Sequence, residues 1–196
     1  MITTAGAKGW PERRVNAAPV DRDETFSKAR AGDPVAFGAI VRRHQSMVFT
    51  LALHVLRNPT AAEDLAQEVF LELYRSLERI ESEAHTIAWL RRVTSHRCID
   101  ELRRAHRRRE LSVETVPDWG ALPPSRELFL ESRLPALVAR LPARARMVMV
   151  LRYQEDMDLL DISETLAMPI NTVKSHLRRS LAVLRAALLK EGPYEA

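Results

Sequence analysis

The chain has a single cysteine among its 196 residues, few glycines and no long apolar run. One cysteine, Cys98, excludes an internal disulfide and fits a reducing compartment. The six glycines form no loop of the kind that cradles phosphates. No stretch approaches the roughly 18 apolar residues of a membrane span, and the N-terminus lacks the apolar core of a signal peptide. These absences predict a cytoplasmic protein.

Recognisable catalytic patterns are also missing. The sequence shows no paired carboxylates, nucleophile elbow or metal-spaced cluster, so we expect no enzyme, no cofactor and no metal. His96 and Cys98, with His85 or His106 nearby, are possible metal ligands by residue type. Their spacing fits no established metal pattern, and adjacent positions on a helix surface explain them better.

Apolar residues recur at helical spacing and nowhere show strand alternation, which predicts an all-α protein. An unpatterned stretch with three prolines and a glycine divides the chain. We therefore predict two small helical domains joined by a flexible linker. The predicted parts are a disordered or partner-ordered tail over 1–24, a domain over 25–110, the linker over 111–127 and a domain over 128–192.

Turn and capping residues predict where the helices begin and end. In the first domain, Asp33 and Pro34 open a helix that Asn58-Pro59 ends, and the capping box from Thr60 to Glu63 opens the next. A third helix is predicted from near Thr86 to beyond residue 103. In the second domain we expect helices over about 143–153, 159–167 and 172–190, the middle one capped by Asp158.

The last predicted helix has one apolar and one basic face, and 171–190 contains no Asp or Glu. A short amphipathic helix and a tight break precede it, which predicts a helix-turn-helix whose second helix binds DNA. A solvated basic face on a bundle helix is the alternative. The predicted inner face comprises Val173, Leu177, Leu181, Leu184 and Leu188, and the predicted DNA face comprises Thr172, Lys174, Ser175, Arg178 and Arg179.

The first domain places opposite charges on adjacent helices. Residues 60–83 hold seven acids and two arginines, and residues 91–109 hold eight arginines and two acids. Such blocks suggest two different partners. On the acidic helix, a leucine within an acidic stripe suits a protein-docking surface better than plain solvation, although an ordinary acidic surface remains open. The stripe consists of Asp64, Gln67, Glu68 and Leu71.

The basic helix suits a phosphate backbone, because so many arginines cannot all face inward. Trp89 and His96 lie within or just before the arginine-rich segment and could pack against bases. A core position for Trp89 is equally compatible with the pattern.

Two blocks of sequence resemble a known family. The segments "TAAEDLAQEVFLELYRSLERI" and "AWLRRVTSHRCIDELRRAHRRRE" resemble region 2 of extracytoplasmic-function sigma factors, and "LPARARMVMVLRYQEDMDLLDISETLAMPINTVKSHLRRSLAVLRAAL" resembles their region 4. The resemblance spans about 27–110 and 135–189. It implies an alternative-type sigma factor that binds core RNA polymerase and promoter DNA, directs promoter recognition and transcription initiation, and is held inactive by an anti-sigma partner.

The resemblance also implies roles for particular residues. The stripe of Asp64, Gln67, Glu68 and Leu71 would bind polymerase. The helix-turn-helix face of Thr172, Lys174, Ser175, Arg178 and Arg179 would read the promoter's minus-thirty-five element. The third helix would melt and read the minus-ten element through Trp89, Arg92, His96, Arg97, Arg103 and Arg104.

Two positions depart from the family pattern. The family usually has glycine in the turn where this chain has Ala167. If this residue must be left-handed, the alanine lowers the stability by on the order of 1 kcal/mol. His96 stands where many relatives have asparagine, so the base read there can differ.

Two other functions compete with this interpretation. An ordinary helix-turn-helix regulator explains the last helix but leaves the acidic stripe and the arginine-rich helix without a role. A sigma-mimicking decoy that only binds an anti-sigma protein explains the fold, but it does not need Lys174, Arg178 and Arg179 on a face without acids.

Overall fold

A computed structural model describes the backbone of residues 22–111 and 126–190, with side chains for 23–108 and 133–189. These residues form helices and connecting turns, with no strand among them, as the all-α prediction requires. The helices are α1 (Arg22–Arg30), α2 (Pro34–Leu56), α3 (Pro59–Ser76), α4 (Glu83–Leu111), α5 (Arg126–Ala139), α6 (Ala143–Tyr153), α7 (Leu159–Thr165) and α8 (Ile170–Lys190), with a 3-10 turn at Leu77–Arg79. No helix within the described ranges is long and apolar enough to span a membrane.

The predicted tail and linker fall largely outside the described residues, which begin at residue 22 and omit 112–125. Helix α1 was not predicted, and it places residues 22–24 of the predicted tail in a helix. Its sequence carried a weak signal, since acids occupy the first turn and bases the last. Phe26 and Ala29 are buried against the rest of the first domain.

The start of α2 is as predicted. Asp33 has extended backbone, and its carboxylate accepts hydrogen bonds from the amides of Val35 and Ala36 at 2.8 and 3.3 Å. Pro34 occupies the first helical turn, where its missing N–H is not needed. The helix buries apolar residues on one side and exposes its other side to solvent.

The predicted capping box at Thr60 is wrong, because α3 begins earlier. Asn58 caps this helix, with its side-chain oxygen accepting from the amide of Ala61 at 3.1 Å, and Pro59 is the first helical residue. Asn58-Pro59 therefore opens α3, directly after α2 has ended near the predicted position. Helix α2 ends at Leu56, followed by Arg57 in the left-handed conformation (φ 56°) with its amide donating to Leu53.

In the second domain, α6, α7 and α8 lie within a few residues of the predicted ranges. Asp158 caps α7 as predicted, accepting from the amides of Leu160 and Asp161 at 2.7 and 2.8 Å. The inner face of α8 differs in one position from the prediction. Ser180 is buried, whereas Leu181 is 42% exposed.

The apolar cores of the two domains are continuous. One cluster of buried residues extends from α1–α4 into α6, α7 and α8, and a smaller cluster joins α5, α6 and α8. Helix α6 belongs to both clusters, and helices α2 and α4 contact it directly. The second domain is thus packed on the first.

Candidate nucleic-acid interface and protein-docking surface

Helix α3 presents an acidic surface because its other side is the core of the first domain. Ala62, Leu65, Val69 and Leu73 are each at most 6% exposed. The four predicted docking residues occupy the opposite positions and are exposed, and Leu71 keeps 58% of its surface accessible. We call Asp64, Gln67, Glu68 and Leu71 the α3 docking surface.

An aromatic pair extends this surface toward the start of α2. The rings of Phe37 and Tyr74 meet edge to face with centroids 5.0 Å apart. Tyr74 is 52% exposed and lies one helical turn after Leu71. Sequence analysis did not single out either aromatic residue, although Tyr74 continues the spacing of the stripe. The exposed apolar area is therefore larger than one leucine, which suits protein docking better than solvation.

Helix α4 carries the predicted minus-ten residues in different environments. Arg92, His96, Arg103 and Arg104 are exposed, and Trp89 is half-buried against the core. The indole of Trp89 therefore packs against the core and also keeps part of its surface accessible. Arg103 and Arg104 pair with acids of their own helix: Arg103 lies 3.6 Å from Asp100, and Arg104 lies 3.3 Å from Glu101.

Arg97 connects α4 to α3. Its guanidinium donates a hydrogen bond of 2.6 Å to Glu72 and lies 3.8 Å from the carboxylate of Glu68. The hydrogen bond to Glu72 is the main cause that raises the pKa of Arg97, so its positive charge is secure. Arg97 is thus held by acids of α3, whereas the other predicted arginines project from α4 alone.

A shallow groove of about 390 Å³ runs along this part of α4. Its walls are Glu72, Trp89, Arg92, Val93, His96, Arg97 and Asp100. An indole edge, an imidazole and a guanidinium in one groove provide the stacking surface and positive charge with which proteins hold single-stranded nucleic acid.

The turn between α7 and α8 has the geometry of a helix-turn-helix with an alanine in place of glycine. Ala167 is left-handed (φ 48°), which is the condition under which alanine costs stability at this position. The amide of Met168 donates to the carbonyl of Ser163 at 3.0 Å, and the hydroxyl of Ser163 donates to the carbonyl of Met168 at 2.6 Å. These two bonds hold the turn closed despite the strain of a side chain at this φ.

Helix α8 buries one side against the second domain and exposes the other. Val173 is fully buried between α8 and the rest of the second domain, which fixes the rotation of the helix. This rotation exposes Lys174, Arg178 and Arg179 on one side, and Thr172 and Ser175 lie half-buried at its edge. The five predicted residues therefore share one face, which we call the α8 reading face.

The structure argues against a metal site built on Cys98. The side chain is fully buried, and burial raises the pKa of the thiol to about 12, so the thiolate that binds metals is disfavoured. His96, two residues earlier, is exposed on a different side of α4. The two residues do not converge.

Comparisons with known proteins agree with this arrangement. The family model "Sigma-70 region 2" matches residues 40–108, and "Sigma-70, region 4" matches residues 131–184. The ECF RNA polymerase sigma factor SigW of Bacillus subtilis is 29% identical over 83% of this chain and 94% of its own length. The RNA polymerase sigma-E factor of Streptomyces coelicolor is 30% identical over 81% of this chain and 89% of its own.

Two solved structures share the fold. CnrH, solved in complex with the cytosolic domain of CnrY, aligns over 87% of this chain and 99% of its own with a TM-score of 0.62 and 22% identity. The sigma factor RpoE of Bartonella quintana, solved with the anti-sigma factor NepR, aligns over 80% and 98% with a TM-score of 0.60 and 20% identity.

Proposed function

This chain belongs to the extracytoplasmic-function sigma factors of the sigma-70 family, and we propose how its surfaces divide the work of such a factor. It is an alternative sigma factor: it binds core RNA polymerase, directs promoter recognition at the start of transcription, and is not an enzyme. The α3 docking surface binds core polymerase. The groove residues of α4 bind the minus-ten element, and the α8 reading face binds the minus-thirty-five element.

The separation of charge supports this division. The acids of the α3 docking surface are exposed on one helix, and the exposed arginines predicted to bind DNA lie on α4 and α8. DNA carries a phosphate charge about every 1.7 Å and is repelled by the acidic helix, so the acids suit a protein partner. An ordinary DNA-binding regulator has no use for the α3 docking surface, and a decoy has none for the α8 reading face.

The α8 reading face suits duplex DNA in the major groove. Residues near the N-terminus of a recognition helix reach base edges first. Arg178 can bind guanine through two hydrogen bonds, and Arg179, at the side of the face, meets phosphate. Thr172, Lys174 and Ser175 add contacts to bases or phosphates.

Two further features follow from the family and its relatives. An anti-sigma protein restrains this chain, as the anti-sigma factor NepR binds the fold relative from Bartonella quintana. The chain acts in the cytoplasm, where its polymerase partner is found.

A charge reversal on the α3 docking surface tests the proposed polymerase contact. The double variant Asp64→Lys/Glu68→Lys should bind purified core polymerase at least about tenfold more weakly, a loss of about 1.4 kcal/mol. The control Glu78→Lys/Glu81→Lys makes the same change in charge at exposed positions beyond α3. It should bind like the wild type. Equal affinities for the two double variants would refute the assignment.

A further inference from the structure

The α8 reading face has a histidine at its edge to which the proposed function gives no role. His176 is half-buried in α8, between Ser175 of the reading face and Leu177, which packs against the smaller apolar cluster. Arg179 follows His176 by three residues, so the two side chains are neighbours on one side of the helix. His176 therefore lies where the reading face meets the packed side of α8.

Helix α6 adds a third basic side chain to this edge. Ala145 of α6 shares the smaller apolar cluster with Leu184 of α8, and the two helices pack together. Arg144 directly precedes Ala145 and is exposed in the first turn of α6. Burial lowers the pKa of His176, and the positive charges of Arg179 and then Arg144 lower it further. Arg144 is thus close enough to act on the imidazole across the contact between the helices.

Within residues 133–189, no carboxylate balances these basic side chains. The helices that pack against α8 are α5, α6 and α7. Their described charged side chains are Arg133 on α5, Arg144, Arg146 and Arg152 on α6, and Asp161 and Glu164 on α7. The two acids are not among the charges that shift the pKa of His176, and neither forms an ion pair with the three basic side chains. The charged residues of α8 itself are all basic over 171–190. This edge therefore attracts anions.

A DNA phosphate is the anion that suits this position. Guanidinium groups and a protonated imidazole donate charge-assisted hydrogen bonds to phosphate oxygens. A recognition helix in the major groove has its flanks beside the phosphate backbones that border the groove. The first turn of α6 has no acid and no side-chain cap, so its free amides favour the same anion.

We propose that Arg144, His176 and Arg179 form one phosphate-binding cluster at the edge of the α8 reading face, and that His176 takes up a proton from solvent when a DNA phosphate binds there. The proposal rests on the assignment of α8 to duplex DNA. The phosphate keeps its charge and accepts a hydrogen bond from the imidazolium. The complex therefore holds one proton more than the free chain and the free DNA together.

Proton uptake makes DNA binding depend on pH in a defined direction. The pKa of His176 lies below 6.5 in the free chain, and a neighbouring phosphate raises it in the complex. Between these two pKa values the affinity for DNA should rise as the pH falls, because the complex is protonated where the free chain is not. The rise should be about tenfold for each unit by which the phosphate raises the pKa.

Nuclear magnetic resonance of the full chain tests the proton uptake directly. His176→Gln removes one of the six histidine Cε1–H signals and so assigns it. The pH titration of that signal should give a higher pKa with a saturating random-sequence duplex of about 30 base pairs, roughly three turns of DNA, than without it. In the free chain, Arg144→Gln should raise the pKa of His176, because one repelling charge is gone. The control Arg140→Gln removes an exposed charge that is not among those acting on His176, and it should leave this pKa unchanged.

The affinity for the same duplex tests the contacts. His176→Gln should lose the rise in affinity that the wild type shows as the pH falls from about 8 to about 5.5. His176→Arg carries a permanent charge, so it should bind tightly without that rise. Arg144→Gln should lower the salt slope by about 0.9, the value for one phosphate contact, and Arg140→Gln should not. Circular dichroism checks that every variant remains folded.

The outcomes separate this proposal from the function on which it rests. An unchanged pKa of His176 in the duplex complex would overturn the proton uptake, and an unchanged salt slope in Arg144→Gln would overturn the three-residue cluster. Lys174→Glu/Arg178→Glu reverses charge on the reading face outside the cluster and should weaken duplex binding at least about tenfold. Wild-type affinity in that variant would refute the assignment of α8 to DNA, whatever the cluster variants show.

Discussion

Nη2 of Arg97 lies 2.6 Å from Oε2 of Glu72, and this ion pair ties the basic helix α4 to the acidic helix α3. Arg97 also approaches Glu68 of the α3 docking surface at 3.8 Å. The helix proposed to bind polymerase and the helix proposed to bind the minus-ten element thus share a charge pair. We therefore expect Arg97 to orient α4 on α3 and to contribute less to DNA binding than the exposed Arg92.

A double-mutant cycle measures the Arg97–Glu72 pair. Both side chains are about 40% exposed (41% and 38%), so water screens the pair and its coupling energy should be about 0.2–1 kcal/mol. The measurement is the free energy of urea unfolding for Arg97→Gln, Glu72→Gln and the double variant. A coupling energy above about 2 kcal/mol would mean that the pair is far less exposed to water in solution than its 41% and 38% exposed side chains indicate.

Replacement of Ala167 by glycine should stabilise the protein. At φ 48° the alanine side chain is strained, and glycine removes that strain, with an expected gain of about 1 kcal/mol in the free energy of unfolding. Ala186, exposed in α8, is the matched control, because glycine there costs about 1 kcal/mol. Chemical denaturation of both variants should show opposite signs. Destabilisation by Ala167→Gly would contradict the left-handed turn.

The stability of the second domain should depend on the protonation of His176. Burial, followed by the charges of Arg179 and Arg144, lowers the pKa of His176 below its ordinary 6.5. The unfolded chain therefore binds a proton near pH 6.5 that the folded chain binds only at lower pH. The contribution of His176 to the free energy of unfolding is fully present above about pH 6.5 and is lost as the pH falls below that value.

Comparison with His176→Gln isolates this contribution from that of the carboxylates. Relative to His176→Gln, the wild type should lose unfolding free energy as the pH is lowered from about 7.5 to about 5.5. Thermal or urea denaturation at several pH values provides the data. A difference that stays constant with pH would show that the pKa of His176 is not lowered by folding.

Arg178 and Arg179 should have separable effects on promoter choice. Loss of a base-reading arginine costs about 1–3 kcal/mol and relaxes specificity at one position, whereas loss of a phosphate contact weakens all sequences alike and lowers the salt slope by about one. Arg178→Ala should thus change which upstream elements are used, and Arg179→Ala should reduce output from all of them. Transcription from a library of randomised upstream elements at two salt concentrations distinguishes these effects. Unchanged promoter preference and salt dependence in both variants would favour a decoy function.

The sequence predicted the helices well where one signal dominated. Asp33 and Asp158 cap their helices as expected, because an N-cap carboxylate acts on its own first turn. The start of α3 was ambiguous, since two capping signals stood two residues apart. Asn58 caps the helix because the fixed backbone angle of Pro59 suits the first helical position.

Features that depend on tertiary packing were not predictable in this way. A small rotation of α8 buries Ser180 and exposes Leu181, and amphipathic spacing does not resolve so small a difference. The pairing of Arg97 with Glu72 joins two helices whose relative rotation the sequence does not specify. The apolar run of α6 around Val148 did carry a signal for burial, but nothing local indicated that the first domain would cover part of it.

Transcription from fragmented bacterial DNA by purified core polymerase, with mapping of the 5′ ends, tests the division of labour most directly. The wild-type chain should produce a defined set of start sites that core enzyme alone does not. Asp64→Lys/Glu68→Lys should reduce output from the whole set, because polymerase binding is weakened. Arg178→Ala should leave polymerase binding intact and redistribute the start sites according to their upstream sequence. A set unchanged by Asp64→Lys/Glu68→Lys, or an Arg178→Ala set identical to the wild type, would contradict the assignment of these surfaces.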